Sequence, residues 1–216
     1  MLQFRKYVLF DLDGTLTDSE PGIIHSVLYT LERFGIQEKR PASLRRLIGP
    51  PLDESFQRFY GMTVPESKRA LEIYREYFSD RGIYENAVYP GIPNLLSRLK
   101  GAGKELLLAT SKPEVFAARI LKHFGLAPYF SVICGCELDG RRSAKCDVIR
   151  EALRRAGEPD PLFAVMVGDR IHDLEGARAN GIPCVAAGYG YGSREELAMA
   201  DAYAETVDAL AAILLG

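Results

Sequence analysis

The sequence predicts an α/β fold: a parallel sheet core with helices on both faces, interrupted after its first strand by an all-helical insertion. Three observations predict it. Tyr7-Val8-Leu9-Phe10 is a short apolar run ended at once by Asp11, the pattern of a strand buried on both faces. From about Tyr89 onward, similar runs alternate with amphipathic helical stretches, the order that gives a parallel sheet. Between these two regions the apolar residues recur only at helical spacing.

The elements follow in order. After the first strand, Ile23, Ile24, Val27, Leu28, Leu31 and Phe34 mark a helix with Ser19 as a candidate cap, Pro21 in the first turn and Gly35 as the stop. Leu52, Ser55, Phe56 and Phe59 line a second helix, and Ala70, Ile73, Tyr74, Tyr77 and Phe78 a third. Residues 16–84 are therefore expected to form a helical domain inserted into a core of residues 1–15 and 85–216. In that core a helix carrying Ile92, Leu95, Leu96 and Leu99 precedes the strand Leu106–Ala109, and Val115, Phe116, Ile120 and Phe124 mark the next helix. Phe130–Cys134 leads into a helix bearing Val148, Ile149, Ala152 and Leu153. Phe163–Val167 leads into a helix from about Asp173, and Pro183–Ala186 is a further strand.

Composition narrows the function. With 216 residues, 47% hydrophobic and 26% charged, the chain is long enough for one large domain plus an insertion and too apolar to be disordered. Its 27 basic and 29 acidic side chains nearly balance, which argues against a nucleic-acid polymer or a membrane surface as partner and leaves room for a small anionic ligand. Cys134, Cys136, Cys146 and Cys184 lack the paired spacing of a zinc site and are expected to be reduced thiols. The first residues show no signal-peptide pattern, and the apolar run Ala209–Leu215 falls far short of the ~20 residues that span a bilayer. A cytoplasmic location is expected.

In an open parallel sheet the ligand crevice lies at the carboxyl ends of the strands. There the sequence places Asp11-Leu12-Asp13-Gly14-Thr15, then Thr110-Ser111-Lys112, then Gly168-Asp169 with Asp173 shortly after. Four carboxylates at one edge repel one another unless a cation sits among them, and a hard divalent ion such as Mg²⁺ is the natural resolution. A strand-end Asp beside such an ion is competent to attack phosphorus, with a hydroxyl and a lysine to steady the transferred group. Each piece also has a plainer reading. Asp-Leu-Asp-Gly is not a calcium loop, because Gly14 stands fourth rather than sixth and Gly22 holds the position of the terminal Glu. Thr110-Ser111 also suits the cap of a helix near Pro113, and His172 reads as a solvent-facing residue.

Taken together, Asp11-Leu-Asp13-Gly14-Thr15, Thr110, a lysine before a helix, and Gly168-Asp169 with Asp173 resemble the four motifs of the haloacid dehalogenase superfamily. The resemblance covers essentially the whole chain and implies a Rossmann-like core, an inserted helical cap and Mg²⁺-dependent phosphatase chemistry through an aspartyl-phosphate. It implies Asp11 as nucleophile and metal ligand. Asp13 would act as general acid/base and lend its main-chain carbonyl to the metal, Asp169 would be a further ligand, and Asp173 an acid of the outer metal shell. Lys145, opening the helix after the Phe130 strand, is taken as the catalytic lysine; Gly14, Thr110, Ser111, Lys112 and, on the insertion, Arg45 are taken as substrate-binding.

Leu16–Ile23, Ile48–Leu52, Ala109–Pro113 and Gly188–Gly192 are similar to the phosphoglycolate-phosphatase-like and 5′-nucleotidase-like branch. Ser111 and Cys146 stand where phosphoglycolate phosphatases commonly carry Asn and Pro. The expected partner is a small phosphorylated metabolite, with monomer and dimer left open. A sugar-phosphate mutase or a phospho-Asp regulatory module are the competing readings. The insertion directly after the first motif disfavours the module, because a hydrolase gains from control of water access and a switch does not.

Overall fold

The computed structural model describes residues 2–216, apart from the side chains of Pro41 and Ala42. By internal contacts the chain divides into an α/β unit, Met1–Thr17 with Val88–Gly216, and a helical unit, Asp18–Ala87.

Among the described residues the α/β unit holds a six-stranded parallel sheet. Its strands are β1 (Tyr7–Phe10), β4 (Glu105–Pro113), β5 (Phe130–Cys136), β6 (Ala164–Gly168), β7 (Cys184–Ala187) and β8 (Ala202–Ala204), in the order β5-β4-β1-β6-β7-β8. A separate two-stranded sheet pairs β2 (Thr17–Asp18) with β3 (Ala87–Val88). The central strand β1 takes Tyr7 against Glu105 on one side and Ala164 on the other. Val8, Leu9 and Phe10 are fully buried, as are Leu106 to Ala109 and Ala164 to Val167, which is why these strands read as unbroken apolar runs. The helices of this unit are α4 (Ile92–Gly101), α5 (Glu114–His123), α6 (Lys145–Arg155), α7 (Ile171–Ala179) and α8 (Val207–Leu215). One buried layer joins Leu9, Leu107, Met166 and Ala186 from the sheet to Val148, Ile149, Leu174 and Ala177 from α6 and α7.

The helical unit contains α1 (Glu20–Arg33), α2 (Leu52–Tyr60) and α3 (Val64–Tyr77), with a 3₁₀ stretch at Pro41–Leu47 and a π turn at Phe78–Gly82. Its buried stripes are Ile23, Val27 and Leu31 on α1, Ser55 and Phe56 on α2, and Ala70, Ile73 and Tyr74 on α3. Thr63 and Glu66 form a reciprocal capping box at the start of α3.

Three local expectations change. Thr110 and Ser111 do not cap α5: β4 continues in extended conformation through them to Pro113, which occupies the N-cap without a side-chain bond. Ser19 stands at the N-cap of α1 but makes no side-chain capping bond there. Helix α7 begins at Ile171, so Asp173 falls at its third position, where its Oδ2 accepts from the Arg170 N–H at 3.0 Å.

Candidate active site

Three neighbouring strands, β4, β1 and β6, deliver the site at their carboxyl ends. The Asp11 N–H donates to Val167 O at 2.9 Å, extending the ladder one residue past β1, so the carboxylate starts from a fixed point at the sheet edge. Next comes a tight loop in which the Gly14 N–H donates to Thr17 O at 2.8 Å. Gly14 has φ +80°, and a Cβ there would overlap the Asp169 carboxylate, so glycine is required twice over. Gly168 is needed for a similar reason, because a Cβ would run into the Asp173 side chain.

Asp11, Asp169 and Asp173 each present a carboxylate oxygen, and these oxygens lie within 4.8 Å of one another. All three residues are buried, Asp169 and Asp173 completely. Lys145, at the first turn of α6, reaches into this group: its Nζ lies 3.0 Å from Asp11 Oδ1 and 2.8 Å from Asp173 Oδ1, and it donates to Ala109 O at 3.1 Å. Gly176 on α7 gives the lysine stem its passage, since a Cβ there would press on Lys145 Cγ. Burial pushes Asp11 up to about 6 against the pull of Lys145, with the charge of Asp173 adding to the rise and the Thr110 hydroxyl bond opposing it. Asp169 is held well above the ordinary carboxylate range by burial and then by Asp173 and Asp11. Burial alone would depress Lys145, but Asp11 and Asp173 outweigh it and hold the ammonium above its usual range.

Three buried carboxylates around one ammonium carry excess negative charge, and the metal-binding atoms they offer are all carboxylate oxygens. That donor set fits a hard divalent cation such as Mg²⁺ and does not fit a thiolate- or imidazole-seeking metal. The Asp13 side chain stands outside this trio. Its Oδ2 is 2.7 Å from Lys112 Nζ, an ion pair with side-chain exposures of 14% and 7%, while its buried Oδ1 has no hydrogen-bond partner among the described residues. Thr110 is buried on β4, Ser111 follows half-buried on the same strand end, and His172 is half-buried on α7. Arg45 belongs to the helical unit, where Nε and Nη2 both approach Glu20 Oε2 at 2.9 Å.

Residues to which the motif reading gave no role complete the support of Asp169. Thr15 Oγ1 donates to Asp169 Oδ1 at 3.1 Å, and the Tyr191 N–H donates to Oδ2 at 2.8 Å. Tyr189 Oη donates to Thr15 O at 3.0 Å, closing a chain from the loop after β7 back to the loop after β1. The alternation Gly188-Tyr-Gly190-Tyr-Gly192 is the signal for this packing. A Cβ at Gly190 would overlap Gly14 O and Asp169 Cβ, and one at Gly192 would overlap Asp169 O.

Residues 8–187 match the family model of the haloacid dehalogenase-like hydrolases. A 5′-nucleotidase of Pseudomonas aeruginosa is 48% identical over 190 residues, covering 88% of this chain and 86% of its own. The tyrosine-protein kinase PtkA of Mycobacterium tuberculosis H37Rv is 44% identical over 186 residues, covering 86% of this chain but only 62% of the kinase. The crystal structure of a predicted phosphatase from Clostridium acetobutylicum superposes with a TM-score of 0.94 at 47% identity, covering 98% of each chain. With the family match spanning most of the sequence and relatives of this similarity, the chain belongs to the haloacid dehalogenase-like hydrolase family.

Proposed function

We propose that this protein is a Mg²⁺-dependent hydrolase of small phosphomonoesters that works through an aspartyl-phosphate on Asp11. The observation that carries it is the Asp11 carboxylate at the end of the central strand, fixed by Lys145 and Thr110 and followed two residues later by a second carboxylate with an oxygen to spare. Asp11 attacks phosphorus and forms an O–P bond as the bond to the leaving alkoxide breaks, and Asp13 gives that alkoxide a proton. Asp13 then takes a proton from water as the water oxygen bonds to phosphorus and the Asp11–phosphorus bond breaks, releasing inorganic phosphate. Lys145 and the Thr110 hydroxyl offer donors to the phosphoryl oxygens, with Gly14 and Ser111 beside them. Mg²⁺ held by Asp11, Asp169 and the Asp13 main-chain carbonyl, with Asp173 behind, would supply charge neutralisation for the phosphoryl group.

Arg45 is assigned to the substrate anion. Nucleoside 5′-monophosphates stand ahead of phosphoglycolate as substrates. The 48% identical relative is a 5′-nucleotidase, and Ser111 and Cys146 depart from the phosphoglycolate phosphatase pattern.

The test is phosphate release from nucleoside monophosphates, phosphoglycolate, sugar phosphates and an aryl phosphate, each with Mg²⁺ and with chelator. Metal-dependent release that disappears in Asp11→Asn supports the reading, and undiminished release by that variant ends it. The kinase relative supports a second reading, transfer to a protein tyrosine. Stable phosphotyrosine after incubation with ATP, with no phosphate release from any monoester, would favour that instead.

A further inference from the structure

The buried ion pair between Lys112 and Asp13 has no part in the scheme above, although it sits on the residue that must handle the proton. Lys112 is near the end of β4, where the pairing with β5 shifts register between Ala109 and Pro113. Gly135 on β5 lets this segment close in, because a Cβ there would press on Lys112 O and the Glu114 main chain. The lysine side chain is thereby directed across the sheet edge to Asp13, and both side chains are largely removed from water. An ammonium has donors and no acceptor, so the oxygen it holds, Oδ2, can only accept, and any proton on this carboxyl resides on Oδ1. Oδ1 is also the oxygen without a partner among the described residues.

On this geometry, and resting on the hydrolase reading above, we propose that Lys112 is a positioning residue that anchors Asp13 by Oδ2 and so dedicates Oδ1 to proton transfer. Its partner is the carboxyl group and not the substrate phosphate. In the first half-reaction the proton leaves Oδ1 for the alkoxide as the ester P–O bond breaks, and the carboxylate that results is already paired. In the second, the proton removed from water returns to the same oxygen. A lysine acting only through Asp13 matters in proportion to how much the leaving group needs a proton. A lysine that binds the phosphoryl group matters equally for every ester.

The experiment compares kcat/KM of the full chain with Mg²⁺ on two substrates: a nucleoside 5′-monophosphate, whose alkoxide needs protonation, and p-nitrophenyl phosphate, whose phenolate does not. Lys112→Met is expected to lower kcat/KM on the nucleotide by about 10²-fold, chiefly in kcat, and by less than about threefold on the aryl ester, the scale of general-acid assistance. Lys112→Arg is expected to restore most of the loss. In the Asp13→Asn background, Lys112→Met should add nothing, and that neutral pair keeps the test usable if the single variant folds poorly. Equal losses on both esters with a raised KM would make Lys112 a substrate ligand and overturn the proposal. So would a full additional loss in the Asp13→Asn background, or no loss on either ester. Absence of turnover by the unsubstituted protein would instead bring down the hydrolase reading, and this role with it.

Discussion

The two units of the chain handle charge in opposite ways. In the helical unit the ion pairs are on the surface: Arg69 with Glu72, both side chains 62% exposed, and Arg45 with Glu20. Its interior is apolar apart from small hydroxyls such as Ser26 and Thr30, which donate to the carbonyls one turn earlier. In the α/β unit three carboxylates and an ammonium are buried together at one edge of the sheet. Exposed pairs add little to stability, whereas buried ions are costly to desolvate and are kept in a fold when their chemistry is used. The contrast teaches where each unit is sensitive: the helical unit to its packing and caps, the α/β unit to its charge balance.

The sharpest way to break this contrast is Asp11→Asn. Turnover is expected to fall by at least about a thousandfold while Tm holds or rises, because a carboxylate whose charge is disfavoured first by burial and then by Asp173, against the pull of Lys145, is replaced by a neutral group. Steady-state kinetics and thermal melts on the same sample check both halves. Lys145→Ala should do the reverse to stability. Without added divalent cation it leaves Asp11 and Asp173 buried and uncompensated, at about 3–5 kcal/mol by urea unfolding, with activity lost. Arg69→Ala in the helical unit should leave Tm nearly unmoved, and equal losses from the two would erase the distinction. Thr63→Ala, which removes the capping box of α3, is expected to cost about 1 kcal/mol, a loss of the helix-cap kind.

The smallest effect concerns alkaline pH. Burial raises the Cys134 thiol from about 9 in the unfolded chain to about 11 in the fold. The unfolded state therefore releases this proton first, and the thiol's contribution is complete below about pH 9 and lost as pH rises through about 11. Cys134→Ala should flatten the decline of stability in that window, on top of a loss from the deleted core sulfur that is the same at every pH. An unchanged slope would mean the thiol is as accessible as in the unfolded chain.

Much of this arrangement was legible in the sequence, for physical reasons that can be named. Strands buried on both faces have to be written as apolar runs, so β1, β4, β5, β6 and β7 announced themselves, and the residues at their carboxyl ends followed. Asp11, Thr110, Asp169 and Asp173, far apart in sequence, could be gathered from the carboxyl ends of the apolar runs, and Lys145 from the family resemblance. What escaped reading works through the main chain. Tyr191 supports Asp169 by its N–H, Tyr189 reaches a carbonyl, and Lys145 rests on the Ala109 carbonyl; the Gly-Tyr alternation marks close packing without naming these bonds. The three-residue strand β8 carries too short a signal, and only Ala204 in it is buried. The partner of Lys112 was likewise hidden, because it depends on a register shift between β4 and β5 that composition does not encode.

The strand order has a consequence for how the molecule comes into being. The helical unit is a continuous stretch of chain in which α3 packs on both α1 and α2. The central strand β1 pairs only with β4 and β6, about a hundred and about a hundred and sixty residues downstream. Such distant pairings form late, after the entropy of closing long loops has been overcome. The strand that leads to Asp11 therefore gains its sheet neighbours, and Asp11 its Lys145 partner, only from chain far downstream.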